Sequence, residues 1–442
     1  MNTIPSVAKR KELLKKLLKV IQNREKEIEG ALFKDFSKPP FETFITEFNY
    51  VISDLKHTIK QLNTWSKPKK VTPSLFNFPS SEFIYNEPYG KVLIISPWNY
   101  PFQLAICPLV AAIAAGNTVV LKPSEISYHT SELLSQIISE VFDVKEAIVI
   151  LGGVELTQKE LQKKWDYIFF TGSTRVGKII ALEAAKNLTP CTLELGGKSP
   201  CIVDETANID IAAKRIVWGK FLNAGQTCVA PDYILVHATQ KFDLVQKLKN
   251  EILQFYGENP QESPDFARII NKDHWNRLLD LIDKKKIIEG GIHDDWTRYI
   301  APSLIDEPEM NDPIMQEEIF GPILPIISYS TFEDIEKVIS QNEKPLALYV
   351  FSENKEFSET IIRKFNFGGG CVNDCIMHLV NHRLPFGGIG NSGMGAYHGK
   401  HGFETFSHKK AIVKRGTSLD IPLRYAPYNK RMKWKKFLQW FS

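Results

Sequence analysis

Apolar residues recur at helical spacing through residues 7–36, where Leu13, Leu14, Leu17, Leu18 and Ile21 interleave with Lys9, Arg10, Lys11, Glu12, Lys15, Lys16 and Lys19. The pattern predicts an amphipathic helix with a charged face, not the apolar core of a signal peptide. A second helix is expected over 43–66, stopped by Pro68. A short strand near Ser81–Asn86 precedes the turn Glu87-Pro88-Tyr89-Gly90. Then the period changes. Lys91–Ser96, Thr118–Lys122, Ala147–Leu151 and Asp166–Thr171 read as buried strands, and Phe102–Ala115, Tyr128–Phe142 and Thr174–Asn187 as helices among them. Apolar strands alternating with helices of about 10–15 residues mean βαβ units and a parallel sheet covered on both faces.

A second half opens near residue 200 with a helix over 208–222, the loop Asn223–Cys228 and further alternation to about 375. A glycine-dense stretch, Pro385–Gly395, leads to a basic strand, Lys409–Arg415. The expected fold class is α/β, with two parallel-sheet domains and a small β arm. Ligands of such sheets sit at the carboxyl ends of the strands. Polar loops gather there: Ser96-Pro97-Trp98-Asn99, Lys122-Pro123-Ser124-Glu125, Thr171-Gly172-Ser173 and Glu194-Leu195-Gly196-Gly197.

Composition narrows the class. The 442 residues are 43% hydrophobic and 24% charged, the mix of a globular chain of two or three domains. No charge falls between Lys91 and Lys122, but the longest apolar run there, Leu104–Ala115, is short of the ~18 residues that span a bilayer. A net charge of +4 gives no case for a nucleic-acid partner. Six cysteines without a paired pattern exclude a disulfide scaffold and suit a reducing, cytoplasmic setting.

Candidate chemistry starts with Cys228, in Asn223-Ala224-Gly225-Gln226-Thr227-Cys228. Most cysteines are small buried hydrophobes. This one lies in a polar loop where little apolar packing is expected, and to attack at neutral pH its thiol needs a lowered pKa or a nearby base. Cys107 falls in an apolar helix, and Cys191 and Cys201 in strand patterns. Cys371 and Cys375 lack the further ligands a metal such as zinc would need. Glu194 ends a strand among apolar residues, so it is either an ion-paired core group or a general base with a raised pKa. Asn99 could donate to an oxyanion or hold a turn. Gly172–Lys178 mimics a phosphate loop, but Ile179 occupies the position that needs a hydroxyl, and no G-x-G-x-x-G occurs here. What remains is a helix N-terminus with Ser173, suited to a pyrophosphate.

Six stretches, in this order and at these intervals, resemble the aldehyde dehydrogenase superfamily: Ser96–Pro101, Leu121–Glu125, Phe170–Ser173, Leu193–Lys198, Gly225–Cys228 and Glu317–Pro322. The short N-terminus and Leu384–Gly388 resemble its class 3 branch, and the likeness runs over about residues 7–415. The resemblance implies Cys228 as nucleophile, Asn99 as oxyanion donor and Glu194 as the base that activates water. It implies Lys122 and Glu125 at the adenosine ribose, Ser173 at the pyrophosphate, and Trp98, Gly172 and Val176 as further cofactor contacts. Glu318 and Phe320 would position the nicotinamide ribose and ring. The cofactor would be NAD, with NADP also accepted, and the substrate a medium or long aliphatic or aromatic aldehyde. A coenzyme A-acylating or semialdehyde dehydrogenase of the same fold is the competing reading; Glu194 argues for water.

The same likeness implies a cofactor domain over 1–76 and 89–196, a catalytic domain over 197–400 and an oligomerisation arm over 77–88 and 409–424 that would make a homodimer. The tail, 425–442, lies outside it. As a helix, the tail would align Trp434, Phe437, Leu438 and Phe441 beside Lys430, Arg431, Lys433, Lys435 and Lys436. Such a stripe suits either a peripheral membrane contact or packing on protein.

Overall fold

The computed structural model describes residues 4–420, 424–428 and, beyond them, Met432, Trp434, Lys435 and Gln439. Its first sheet has six strands in the spatial order Gly393–Met394, Cys191–Glu194, Tyr167–Thr171, Lys91–Ile95, Thr118–Lys122 and Ala147–Val149. All neighbours run parallel except Gly393–Met394, which pairs antiparallel with the Glu194 strand. Alternation decides what each strand buries: Val92 and Ile94 join one core, and Leu93 and Ile95 join the other, on the opposite face. The charge-free stretch becomes a strand and the helix Gln103–Ala115, which is buried nearly all round and ended by Gly116 at φ 102°. Only glycine takes that left-handed cap without strain.

The second sheet has seven strands, in the order Ile287–Glu289, Ser303–Asp306, Ile323–Tyr329, Tyr233–His237, Pro200–Val203, Ala347–Phe351 and Gly369–Val372. Only Ile287–Glu289, at one edge, is antiparallel. A separate antiparallel sheet joins Lys69–Val71, Ser80–Pro88 and Ser407–Arg415, the last two paired along their whole length. This matches the α/β class with two mainly parallel sheets and a small β arm.

Differences from the sequence reading are local. The helix over 7–36 is two, Val7–Asn23 and Glu25–Phe36, broken at Arg24 (φ −109°, ψ 21°), whose guanidinium bonds Glu27 and Gln136. The second helix begins earlier, at Pro40–Thr43. It passes through a π-helical turn, Phe44–Phe48, and continues as Asn49–Trp65. The helix Val154–Leu161 escaped the sequence reading, because eight residues after Gly152-Gly153 show too few periods to register. Most of the tail stripe, Phe437, Leu438 and Phe441 with four of its five basic residues, lies outside the described residues.

Candidate active site

In the first sheet the connections run one way from Lys91–Ile95 to Thr118–Lys122 and the other way to Tyr167–Thr171. This is the switch point at which an open parallel sheet leaves a crevice. A cleft of about 640 Å³ opens there, lined by Trp98, Asn99, Gly172, Ser173, Glu194, Gly196, Cys228, Glu318 and Phe320 among others. Glu194 ends its strand and, through Gly196-Gly197-Lys198, the chain enters Pro200–Val203 of the second sheet. The cleft therefore lies between the carboxyl ends of one sheet and the loops feeding the amino ends of the other. The Cys228 loop precedes its strand, Tyr233–His237, and the Glu318–Phe320 loop precedes Ile323–Tyr329, while Trp98, Asn99, Gly172 and Ser173 follow strands of the first sheet.

That loop is strained and locked. Asn223, Ala224 and Gly225 are left-handed in succession (φ 56°, 51° and 74°), a conformation that persists only where surroundings enforce it. Asn223 Nδ2 donates to the Asn99 carbonyl at 2.9 Å and the Gln226 carbonyl at 3.1 Å. Gln226 Nε2 donates to Asn223 O and Arg268 O, each at 3.0 Å, while its Oε1 accepts from Ile270 N at 3.0 Å. A Cβ on Gly225 would collide with the Gly321 carbonyl. The sequence suggested a polar loop with little apolar packing; instead Asn223–Thr227 are buried, and their side chains bond one another and the flanking Asn99, Tyr100, Arg268 and Ile270. Cys228 alone is partly exposed, packed at the edge of the core.

Electrostatics decide between the two routes open to the thiol. Its pKa is not lowered: burial, with Glu318 and Glu194 nearby, pushes Cys228 up to about 12. Deprotonation on attack therefore needs a base. Glu194 is 2% exposed, neither carboxyl oxygen has a hydrogen-bond partner among the described residues, and burial raises its pKa well above the ordinary range. Of the two readings open for Glu194, the ion-paired core group fails. Asn99 Nδ2 donates to the Gln226 carbonyl at 3.1 Å, which uses one of its two N–H groups and orients the other.

The cofactor-side residues fit a dinucleotide. Ser173 caps the helix Thr174–Lys186 by accepting from Val176 N at 3.4 Å, leaving amide donors at the helix start for phosphate. A Cβ at Gly196 would collide with the Glu318 carboxylate, so that glycine keeps open the space Glu318 occupies. The Trp98 and Phe320 rings meet edge to face at 5.3 Å. Lys122 and Glu125 form an ion pair at 2.5 Å, with Lys122 buried and Glu125 40% exposed. Lys122, Glu125 and Val176 stand off the cleft wall that holds the other predicted site residues.

Several contributors went unread in the sequence. Lys198 Nζ bonds Asp232 at 2.5 Å and the carbonyls of Ile314 and Glu317, while Asp232 accepts from Ile319 N at 2.9 Å; together they fix the Glu318 loop. His274 packs on Trp98 at 4.8 Å, and Arg277 holds Glu317 and the Ile319 carbonyl. Only Lys198 lay inside a motif; the others are isolated residues with no local signal.

A thiol, an amide donor and an unpaired carboxylate converge at a cleft built for a dinucleotide. That chemistry belongs to dehydrogenases that work through a bond to cysteine. The chain is a member of the aldehyde dehydrogenase family, whose model matches residues 4–412. It is 49% identical over 429 residues to 4,4'-diaponeurosporen-aldehyde dehydrogenase of Staphylococcus aureus, covering 97% of this chain and 94% of that protein. With the dimeric NADP-preferring aldehyde dehydrogenase of Mus musculus it shares 48% identity, over 92% of this chain and 90% of the other. The substrate-bound structure of Staphylococcus aureus AldH matches with a TM-score of 0.97 at 47% identity, covering 99% of this chain and 96% of that one. The chain is an NAD(P)-dependent enzyme that oxidises aldehydes.

Proposed function

We propose that the enzyme converts medium or long aliphatic and aromatic aldehydes to carboxylic acids through a thiohemiacetal and a thioester on Cys228. As the sulfur attacks the aldehyde carbon its proton passes to Glu194 and on to solvent, the C–S bond forms, and the carbonyl π pair moves to oxygen as an oxyanion. The free N–H of Asn99 and the backbone N–H of Cys228 receive it; losing one such donor typically costs ~2.7–4 kcal/mol. The chemistry that bound NAD(P) supplies is acceptance of the hydride as the thiohemiacetal becomes a thioester. Glu194 then takes a proton from water, the hydroxide adds, the C–S bond breaks and the acid leaves. The observation that carries this reading is the unpaired, buried Glu194 carboxyl facing the same cleft as Cys228. A thioester destined for another thiol would need no such base.

Around this chemistry we assign Trp98, Gly172, Ser173, Val176, Glu318 and Phe320 to the cofactor, with Lys122 and Glu125 at its adenosine ribose. A carboxylate at Glu125 favours the ribose diol of NAD and repels a 2′-phosphate. Its 40% exposure leaves it room to turn away, which supports acceptance of NADP as well. We divide the chain into a cofactor domain, 1–76 and 89–196, a catalytic domain, 197–400, and an arm, 77–88 and 409–424; the strand Gly393–Met394, which joins the first sheet, and Lys69–Val71, which joins the arm sheet, cross these bounds. The arm's strand Ser407–Arg415, on the open edge of its sheet, supports a homodimer, as does the name of the mouse relative. Six free thiols favour work in the cytoplasm. No described helix is long and apolar enough to cross a membrane; the tail, 425–442, is assigned to peripheral contact.

Cys228→Ala should abolish turnover and leave cofactor affinity intact, read as NAD(P)H absorbance and by cofactor titration. Wild-type enzyme should release acid without coenzyme A. Turnover retained in the alanine variant would move the nucleophile elsewhere.

A further inference from the structure

Between the helices Glu25–Phe36 and Asn49–Trp65, far in sequence from every catalytic motif, lies a buried charge cluster. Lys38 and Glu47 are both wholly buried and paired at 3.0 Å. The other Glu47 oxygen accepts from Phe102 N at 3.1 Å and Gln103 N at 2.8 Å, fixing the start of the central helix and the loop that carries Asn99. The Lys38 ammonium also stands 3.9 Å from the centre of the Tyr100 ring. Tyr100 in turn shares a 2.7 Å hydrogen bond with Thr227, the neighbour of Cys228.

Two further ties join the same segment to the strained loop. The Phe36 carbonyl accepts from Arg268 N at 2.9 Å, and the Arg268 carbonyl accepts from Gln226 Nε2. Burial pushes the Glu42 carboxyl up to about 7, while the Lys38 charge and the nearby Asn223 backbone N–H draw it back down. One short segment thus grips both halves of the oxyanion site. An apolar pair of equal volume is often at least as stable as a buried ion pair. What the ion pair adds is direction, an ammonium aimed at both a carboxylate and a ring face.

We propose that Lys38 is a positioning residue for the reaction, holding the Asn99 amide and the Cys228 loop in register through Glu47 and Tyr100. The proposal rests on the assignment of Cys228 and Asn99 above. Register at this level matters to rate, since a misplacement of ~1 Å can cost on the order of 100-fold. A register defect weakens stabilisation made only in the transition state, so it lowers kcat without raising KM.

The test uses K38M/E47Q, which removes both charges yet keeps an acceptor for Phe102 and Gln103, together with Y100F and the combination of all three. In K38M/E47Q, kcat for aldehyde oxidation should fall about tenfold or more, with aldehyde KM and cofactor dissociation constant within about twofold of wild type. Y100F should show a fall of the same kind, and the triple variant should be no slower than the slower parent, because both act through one path. Wild-type kcat in K38M/E47Q, or losses that multiply in the triple variant, would overturn the proposal. If K38M/E47Q does not fold, Y100F decides, and an unchanged kcat there overturns it as well. Turnover retained in Cys228→Ala would instead sink the site assignment.

Discussion

Glu194 shows how one side chain's surroundings set its work. A carboxyl with no donor and no cation beside it is neutral well above the ordinary carboxylate range, and its proton affinity suits taking a proton from water. Because the pKa is raised, the basic form grows as pH rises, so hydrolysis should show an acid-side limb that this group controls. Glu194→Gln should give up to one NAD(P)H per site in a burst and then stall, with the limb gone from the residual rate. Stopped-flow absorbance over a pH series measures both, and normal steady-state turnover near neutral pH would reject the role. In the sequence the residue was visible as a strand-ending carboxylate, but not its isolation. Whether a buried Glu has a partner depends on residues such as Gly393, which stands opposite it across the sheet and comes from a remote part of the chain. Cys228 was found for the wrong environment: the polar loop that drew attention to it is buried, and its asparagine and glutamine serve as internal ties.

Elements were legible in proportion to their length and period. The strands Thr118–Lys122 and Tyr167–Thr171 and the helix Thr174–Lys186 lie within a residue of where apolar patterning put them. The break at Arg24 and the π-helical turn at Phe44–Phe48 were not legible, because both make contacts with distant elements, Arg24 with Gln136 and Glu47 with Phe102 and Gln103. The helix Asn49–Trp65 carries a further case in Asp54. Packed against Gln103–Ala115, this carboxyl is raised by burial from 3.8 to about 7. His382 approaches at 3.7 Å, and burial lowers its own pKa. The folded state therefore binds the Asp54 proton more tightly than the unfolded state does. That contribution to stability is complete below about pH 3.8 and is lost as pH rises through about 7. Asp54→Asn should gain in Tm over wild type as pH rises from 5 to 8.5. An equal difference at both pH values would refute the linkage, whatever its sign.

At the scale of the whole molecule, the proposed catalytic groups depend on two sheets meeting end to end, with Asn99 and Glu194 contributed by one and the Cys228 loop feeding the other. Six ordered motifs made that arrangement readable by resemblance, whereas no spacing within the chain shows which ends of two sheets will face. The chain's charge is distributed as unevenly as its chemistry. The net charge is only +4, yet Lys430, Arg431, Lys433, Lys435 and Lys436 fall within seven residues beside Trp434, Phe437, Leu438 and Phe441. Aromatic and leucine side chains flanked by lysine and arginine suit a helix lying in a bilayer interface, and each basic residue near an anionic surface adds ~1 kcal/mol. The enzyme should therefore bind anionic vesicles at low salt, release as salt rises, and lose binding on truncation after Tyr428 while aldehyde oxidation in solution is largely kept. Co-sedimentation with vesicles across a salt series, paired with size-exclusion chromatography, separates this from packing. Indifference to anionic vesicles at low salt, or a truncated enzyme that falls to monomers, would assign the stripe to contact with protein.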